Sequence, residues 1–376
     1  MKMKGIIDST LREGEQTVGV FFSPELKFEI IRQLCNIGVE EIEVGVASRY
    51  DTSPADLIRK SREQDIPACL AIWCRCKEED IAIAALAGPD VLSLSIPVSD
   101  MHIEMKLGKS RDWVLNKVEE SIGYSQKLGI PFISLGFEDA TRADPEFIES
   151  VVRIAKRSGV ARIRLADTVG VTCPAEIAGL IRRIKEISSL EIGVHMHNDF
   201  GMATANSIAA LDAGADWVDA TLLGLGERAG NARLEELTAY LSLQRKHHYE
   251  ISKIPSLSKM VAGAVGTNIQ THRPIIGSDI FACETGLHLQ GLQRAPVTYE
   301  PFPPEVVMAE RSLLFGTKVG RREIFDCLGG DNKRISDCEY DSIITQIREK
   351  VDSSGYPLGW EKFSALVRNV TNCLSD

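Results

Sequence analysis

Two imidazoles two residues apart carry the clearest chemistry in this chain: His195 and His197, in the run Ile192-Gly193-Val194-His195-Met196-His197-Asn198-Asp199. The apolar residues before them predict a strand. Successive strand side chains alternate faces, so both rings project from one face, close enough to clamp a metal ion. Taken alone, the pair also fits a polar strand rim that is hydrogen-bonded to its neighbours. Near the other end of the chain, Asp8-Ser9-Thr10-Leu11-Arg12-Glu13-Gly14-Glu15-Gln16 follows an apolar segment, Gly5 to Ile7. A carboxylate from this run would complete a two-nitrogen, one-oxygen ligand set with open positions. That set suits a catalytic divalent ion: zinc, manganese or magnesium.

The fold must bring these two segments together. Short apolar segments recur along the chain, each followed by a helix-like amphipathic stretch, and eight strand candidates can be counted. They are Gly5 to Ser9, Glu41 to Val46, Ala68 to Trp73, Val91 to Ile96, Phe132 to Phe137, Arg162 to Asp167, Glu191 to His197 and Trp217 to Leu222. Helix starts are marked by Ser23-Pro24-Glu25, Asp144-Pro145-Glu146 and Thr172-Cys173-Pro174. In the first of these helices Leu26, Ile30, Leu34 and Ile37 share a face before Gly38 ends it. Eight such units in roughly 245 residues predict an α/β fold, a (β/α)8 TIM barrel, over 1–250. Residues 251–376 change texture and are expected to form a smaller, mainly helical C-terminal region, a lid or a dimerisation element. In such a barrel, functional groups gather at the C-terminal ends of the strands, where Arg12, Glu13, Arg75, Glu138, Thr168, the two histidines and Glu227 to Asn231 all fall.

Composition narrows the partners. With 44% apolar and 26% charged residues, the chain can bury a large core. Its net charge of -10, from 43 basic and 53 acidic residues, argues against a nucleic-acid partner. No run reaches membrane-spanning length and the start lacks a secretory signal, so no membrane partner is expected and the cytoplasm is the expected compartment. Nine cysteines without a CxxC pair read as reduced thiols.

Three runs carry a family resemblance: Asp8 to Gln16, His195-Met-His-Asn-Asp-Phe-Gly201, and Gly224-Leu-Gly-Glu-Arg-Ala-Gly-Asn231. They resemble the signatures of the DRE-TIM metallolyase superfamily, in its homocitrate and isopropylmalate synthase branch. Trp73-Cys-Arg75, Leu94 to Asp100, Arg111-Asp-Trp113, Glu138 to Asp144 and Ala166 to Gly170 are most similar to the homocitrate synthases of nitrogen-fixing bacteria. The resemblance implies a Claisen condensation in which acetyl-CoA, as co-substrate, loses a methyl proton and its enolate attacks the ketone of a 2-oxo acid, 2-oxoglutarate giving homocitrate. It also implies a homodimer.

The same resemblance implies roles for individual residues. Glu13, His195 and His197 are the expected metal ligands, with Asn231 close to the ion. Arg12 would stabilise the developing alkoxide. Gln16, Glu43 and Thr168 would line the oxo-acid pocket, and Arg75 would pair with a distal carboxylate. Glu138, His288 and Tyr299 would supply the base and the donor for the enolate, and the Gly224 to Gly230 loop would offer backbone amides to CoA. Three places depart from the branch. Cys283 stands where relatives carry a histidine, Ser134 stands where lysine-pathway homocitrate synthases carry an arginine, and Phe315 to Gly320 replaces a Leu-Gly-Lys-His-Ser-Gly run. Other readings are a Re-type citrate, citramalate or isopropylmalate synthase, or a non-catalytic paralogue that binds metal and oxo acid. A 3-hydroxy-3-methylglutaryl-CoA lyase is disfavoured, because those enzymes use a cysteine in the glycine-rich loop and Gly224 to Gly230 has none.

Overall fold

A computed structural model describes residues 3–284, 288, 291–292, 294–328 and 335–371. Eight parallel strands close into a barrel in sequence order: β1 (Gly5–Asp8), β2 (Glu41–Val46), β3 (Cys69–Arg75), β4 (Val91–Pro97), β5 (Ile133–Glu138), β6 (Arg162–Asp167), β7 (Glu191–Met196) and β8 (Trp217–Ala220). Closure is made by β1 against β8, with Ile6 opposite Val218 and Asp8 opposite Ala220. Helices alternate with the strands: α1 (Pro24–Ile37), α2 (Ser53–Glu63), α3 (Glu78–Ala87), α4 (Arg111–Lys127), α5 (Pro145–Arg157), α6 (Pro174–Ile187), α7 (Ala203–Asp212) and α8 (Leu234–Arg245). The α1 boundary follows its sequence signals. Ser23 Oγ accepts from Leu26 N at 3.2 Å, Pro24 occupies the first turn, and Gly38 stops the helix at φ 98°. Its buried face is wider than the expected stripe and includes Phe28 and Ile31.

The chain divides at Asn268/Ile269 rather than near 250. The shift comes from α9 (Ile254–Ala264), which buries Ile254, Leu257 and Val261 and packs on α1 and α8, so that it belongs to the barrel unit.

Alternation along the strands puts the aliphatic side chains between sheet and helices and leaves an ionic barrel interior. Glu41 on β2 and Arg162 on β6 sit on strands that are not neighbours, yet they meet in a two-pronged contact at 2.9 and 2.7 Å, which can only cross the interior. Arg162 has no exposed surface. Ser134 Oγ accepts from its Nε at 3.0 Å, and its guanidinium lies over Phe132 and Trp217. One layer nearer the C-terminal ends, Glu43 and Arg164 repeat the pairing at 2.7 Å.

The second unit has its own core around Phe315, Ile324, Ile343, Ile347 and Phe363. Phe315 and Phe363 stack with centroids 3.6 Å apart. The expected helical content is present as α10 (Arg321–Cys327), α11 (Asp337–Ser354) and α12 (Trp360–Thr371). A three-stranded sheet accompanies it, with β10 (Ser312–Phe315) between β9 (Ala282–Cys283) and β11 (Leu358–Gly359). Among the described residues, no helix is long and apolar enough to cross a membrane.

Candidate metal centre

The turn after β1 is built by its own short polar residues. Asp8 accepts from Thr10 N at 2.9 Å and from Thr10 Oγ1 at 3.0 Å, and Thr10 Oγ1 in turn accepts from Leu222 N at 2.8 Å, tying the turn to the end of β8. Arg12 N and Glu13 N both donate to Ser9 O. This turn points Glu13 into the barrel mouth, two strands from β7. His195 lies near the end of β7. His197 lies just beyond it, because its backbone bridges to Asn231 instead of continuing the ladder with β8.

One ligand atom from each of Glu13, His195 and His197 lies within 4.8 Å of the other two, and all three residues are buried. His195 Nε2 is 3.7 Å from Glu13 Oε2, and His197 Nε2 is 3.8 Å from Glu13 Oε1. The rings meet edge to face, with centroids 5.0 Å apart.

The chemistry of these groups fits a divalent cation. Burial, with the neighbouring His195 adding to it, pushes the pKa of His197 down to about 3, so its ring is neutral and keeps a lone pair. Burial also works against a charged Glu13, but Arg12 and the histidines outweigh it and the carboxyl is held below its usual value. His195 Nδ1 meets Asp219 Oδ2 at 2.8 Å, which fixes the ring and leaves Nε2 facing the centre. Asn231 is buried beside it, with Nδ2 3.2 Å from His195 Nε2 and Oδ1 without a hydrogen-bond partner among the described residues. Gly226 closes the other side at φ 157°, where an added Cβ would collide with Asn231 Oδ1 and come within 3.3 Å of Glu13 Cγ.

The ligand atoms open onto a cavity of about 200 Å³. Arg12, Gln16, Glu138 and Thr168 line it. Arg12 is clamped, with Nε and Nη2 on Glu43 Oε2 at 2.9 and 2.8 Å and Nη1 on Glu13. Glu138 accepts from Lys106 Nζ at 2.5 Å and lies 3.0 Å from His102 Nδ1. Both partners come from a π-helical turn after β4, His102–Lys106.

Three expectations require correction. Glu43 does not line the cavity: it is fully buried beneath it, spent on Arg12, Arg164 and Ser9, and its part is to hold the two arginines. Arg75 does not reach the cavity either. The chain turns into α3 immediately after β3, placing Asp80 where it takes the guanidinium in a fork at 2.6 and 3.0 Å. In the Gly224 to Gly230 loop the amides of Gly224, Leu225, Gly226 and Gly230 are taken by Thr221 O, Leu222 O, Thr17 Oγ1 and Glu227 O, so the loop offers fewer amides to CoA than expected. His288 and Tyr299 belong to the second unit, where their rings pack with centroids 4.2 Å apart. Part of the run between Cys283 and His288, 285–287, lies outside the described residues.

Sequence reading missed Arg164, Asp219, His102 and Lys106. A signal existed for the first two. Arg162-x-Arg164 repeats the Glu41-x-Glu43 alternation on the opposite strand, and Asp219 occupies the matching face of β8.

Comparison with known proteins agrees with this geometry. Residues 4–261 match the HMGL-like family, and 275–355 match the homocitrate synthase post-HMGL domain-like family. A relative named 2-isopropylmalate synthase 2, from Caldanaerobacter subterraneus, is 36% identical over 355 residues, 94% of this chain and 92% of its own. Homocitrate synthase 1 of a Nostoc species is 35% identical over 367 residues, 96% of each chain. Among solved structures, an HMG-CoA lyase of Bacillus subtilis superposes with a TM-score of 0.63 at 20% identity, over 72% of this chain and 96% of that one, a likeness of fold. The chain belongs to the HMGL-like family of the DRE-TIM superfamily. Within it, the chain is a homocitrate synthase-like acyltransferase.

Proposed function

We propose that this protein condenses acetyl-CoA with 2-oxoglutarate to give homocitrate, in a Claisen reaction that depends on a divalent metal. The convergence of Glu13, His195 and His197 at one wall of the cavity carries the reading. These three residues would hold a divalent ion, which would supply Lewis-acid polarisation of the keto group. Arg12 adds a fixed positive charge on the same wall, with its orientation held by Glu43. Glu138, steadied by Lys106 and His102, faces the same space as a proton acceptor. His288 and Tyr299 are assigned to acid-base work on the acetyl group, on the family resemblance and their mutual contact.

The polarity of the cavity favours a dicarboxylic acceptor. Apart from Trp73, Gly136 and Ala166, every residue that lines it is polar or charged, a poor match for the branched apolar chain of 2-oxoisovalerate. The test supplies the manganese-loaded protein with acetyl-CoA and, in turn, 2-oxoglutarate, oxaloacetate, pyruvate and 2-oxoisovalerate, following free thiol. Release with 2-oxoglutarate above all others, lost in His197→Ala, is expected. A preference for another acid refutes the acceptor, and no release with any acid refutes the reaction.

A further inference from the structure

Three cations line the cavity, and they differ in how much of their hydrogen-bonding capacity is already committed. All three guanidinium nitrogens of Arg12 contact acids. Lys106 is taken by Glu138. Arg164 is only 4% exposed, yet both of its acidic contacts, Glu43 at 2.7 Å and Asp219 at 3.2 Å, use the same atom, Nη1. Its Nη2 and Nε carry no hydrogen bond among the described residues, and neither is sealed away from the cavity that Arg164 lines. A buried guanidinium with two donors left open to a cavity is a ready receptor for a carboxylate.

The surroundings leave room for such a group. In the barrel register, Arg164 is paired with Gly136 on one side and Gly193 on the other, so no side chain flanks it in its row. A Cβ at Gly136 would lie 3.0 Å from Leu94 O and 3.7 Å from Ser95 Cβ, narrowing the space at that point. Ser95, paired with Gly136, also lines the cavity. Ala166, two residues beyond Arg164, pairs with His195, so Arg164 sits one step deeper in the barrel than the metal ligand. Ser134, deeper again on β5, is occupied by Arg162.

We propose that Arg164 is the specificity-determining residue of the cavity, taking the second carboxylate of a dicarboxylic 2-oxo acid through Nη2 and Nε while Nη1 stays bound to Glu43 and Asp219. The proposal rests on the oxo-acid reading given above and adds the group that tells a dicarboxylic acceptor from a monocarboxylic one.

The test is calorimetric titration of the full-length, manganese-loaded protein with 2-oxoglutarate and with 2-oxopentanoate, which has the same carbon chain without the second carboxylate. The wild type should bind 2-oxoglutarate at least about tenfold more tightly. Arg164→Lys keeps a charge for Glu43 but loses the fork, and should reduce that preference roughly 10- to 100-fold. A merely structural arginine predicts a different result: both acids weakened alike, the preference intact, and the proposal overturned. Should Arg164→Lys fail to fold, Gly136→Ala adds a methyl to the cavity lining in the register row of Arg164 and removes no charge. It should lower the preference several-fold, and an unchanged preference overturns the proposal. Equal binding of both acids by the wild type sinks this inference alone, whereas binding of neither sinks the proposed reaction as well.

Discussion

Asp219 decides whether His195 can act as a metal ligand, and a substitution series at this position puts a number on that. Asp219 Oδ2 meets His195 Nδ1 at 2.8 Å and Arg164 Nη1 at 3.2 Å, and the residue is 2% exposed. While the carboxylate accepts from Nδ1–H, the lone pair of His195 is on Nε2, 3.7 Å from Glu13. Asp219→Asn can keep this tautomer, because the amide oxygen can take the place of Oδ2 and the NH2 the place of Oδ1, which has no hydrogen-bond partner among the described residues. What it loses is the charge that makes the imidazole a stronger donor. Asp219→Ala loses the orientation as well, since nothing then selects Nδ1–H over Nε2–H. Partners of metal-bound histidines are worth about 10- to 100-fold in metal affinity. The expected losses are therefore about tenfold for Asn and about a hundredfold for Ala, roughly 1.4 and 2.7 kcal/mol. The assay is manganese titration of metal-free protein by calorimetry, with urea unfolding of each metal-free variant alongside. If Asp219 only neutralised Arg164, the alanine variant would lose stability while binding manganese as tightly as the wild type. That outcome refutes the reasoning.

Glu41→Gln should be costly, because it leaves the fully buried Arg162 guanidinium without its counter-charge; about 3–5 kcal/mol of stability is expected from the shift in urea midpoint. A loss below about 1 kcal/mol would show that the pair contributes little. Asp8 gives a pH-dependent effect: burial raises its carboxyl from 3.8 to about 7, so the native state binds a proton more tightly than the unfolded chain does. The stabilisation is complete below pH 3.8 and is lost as pH rises through about 7, by at most about 1.4 kcal/mol per pH step of one. Asp8→Asn removes the titrating group, so the stability of the variant relative to wild type should rise between pH 4 and pH 8. A constant difference across that range would place the titration of Asp8 outside the folding equilibrium.

The strand-helix repeat was legible because each strand is buried on its helix-facing side and each helix presents one apolar stripe, so both periods survive in the sequence. Glu41–Val46 and Arg162–Asp167 agree to the residue, while other ends slip by one or two. His197 shows why they slip: its backbone leaves the strand to bridge Asn231, a partner 34 positions away that no local pattern announces. Glu13, His195 and His197 were legible because the order of the strands around the barrel fixes their proximity once the fold is known. The destinations of Glu43 and Arg75 were not. Each is a charged residue near a strand end whose direction depends on which opposite charge lies nearest, Arg164 across the barrel in one case and Asp80 on the next helix in the other. Local sequence gives the charge of a side chain but not its partner.

The misplaced and missed residues turn out to be one connected structure. From Glu13 the contacts run to Arg12, Glu43, Arg164, Asp219 and His195, and His195 Nε2 returns to Glu13 at 3.7 Å. Acid and base alternate around this loop, so each member holds the next in place, and its two meeting members, Glu13 and His195, belong to the group that could hold a metal ion. Because the loop lies in the barrel interior, removing one charge leaves its two neighbours facing like or unpaired groups in a poorly screened space. Substitutions within it should therefore be non-additive, and the loss from a second change should depend on whether the first has already opened the loop. A metal site built on strand ends alone would need only three ligands. Here the ionic layer beneath them orients Glu13 and His195 and at the same time leaves one face of Arg164 uncommitted, so the groups that support the metal ligands also shape the part of the cavity where the substrate chain would lie.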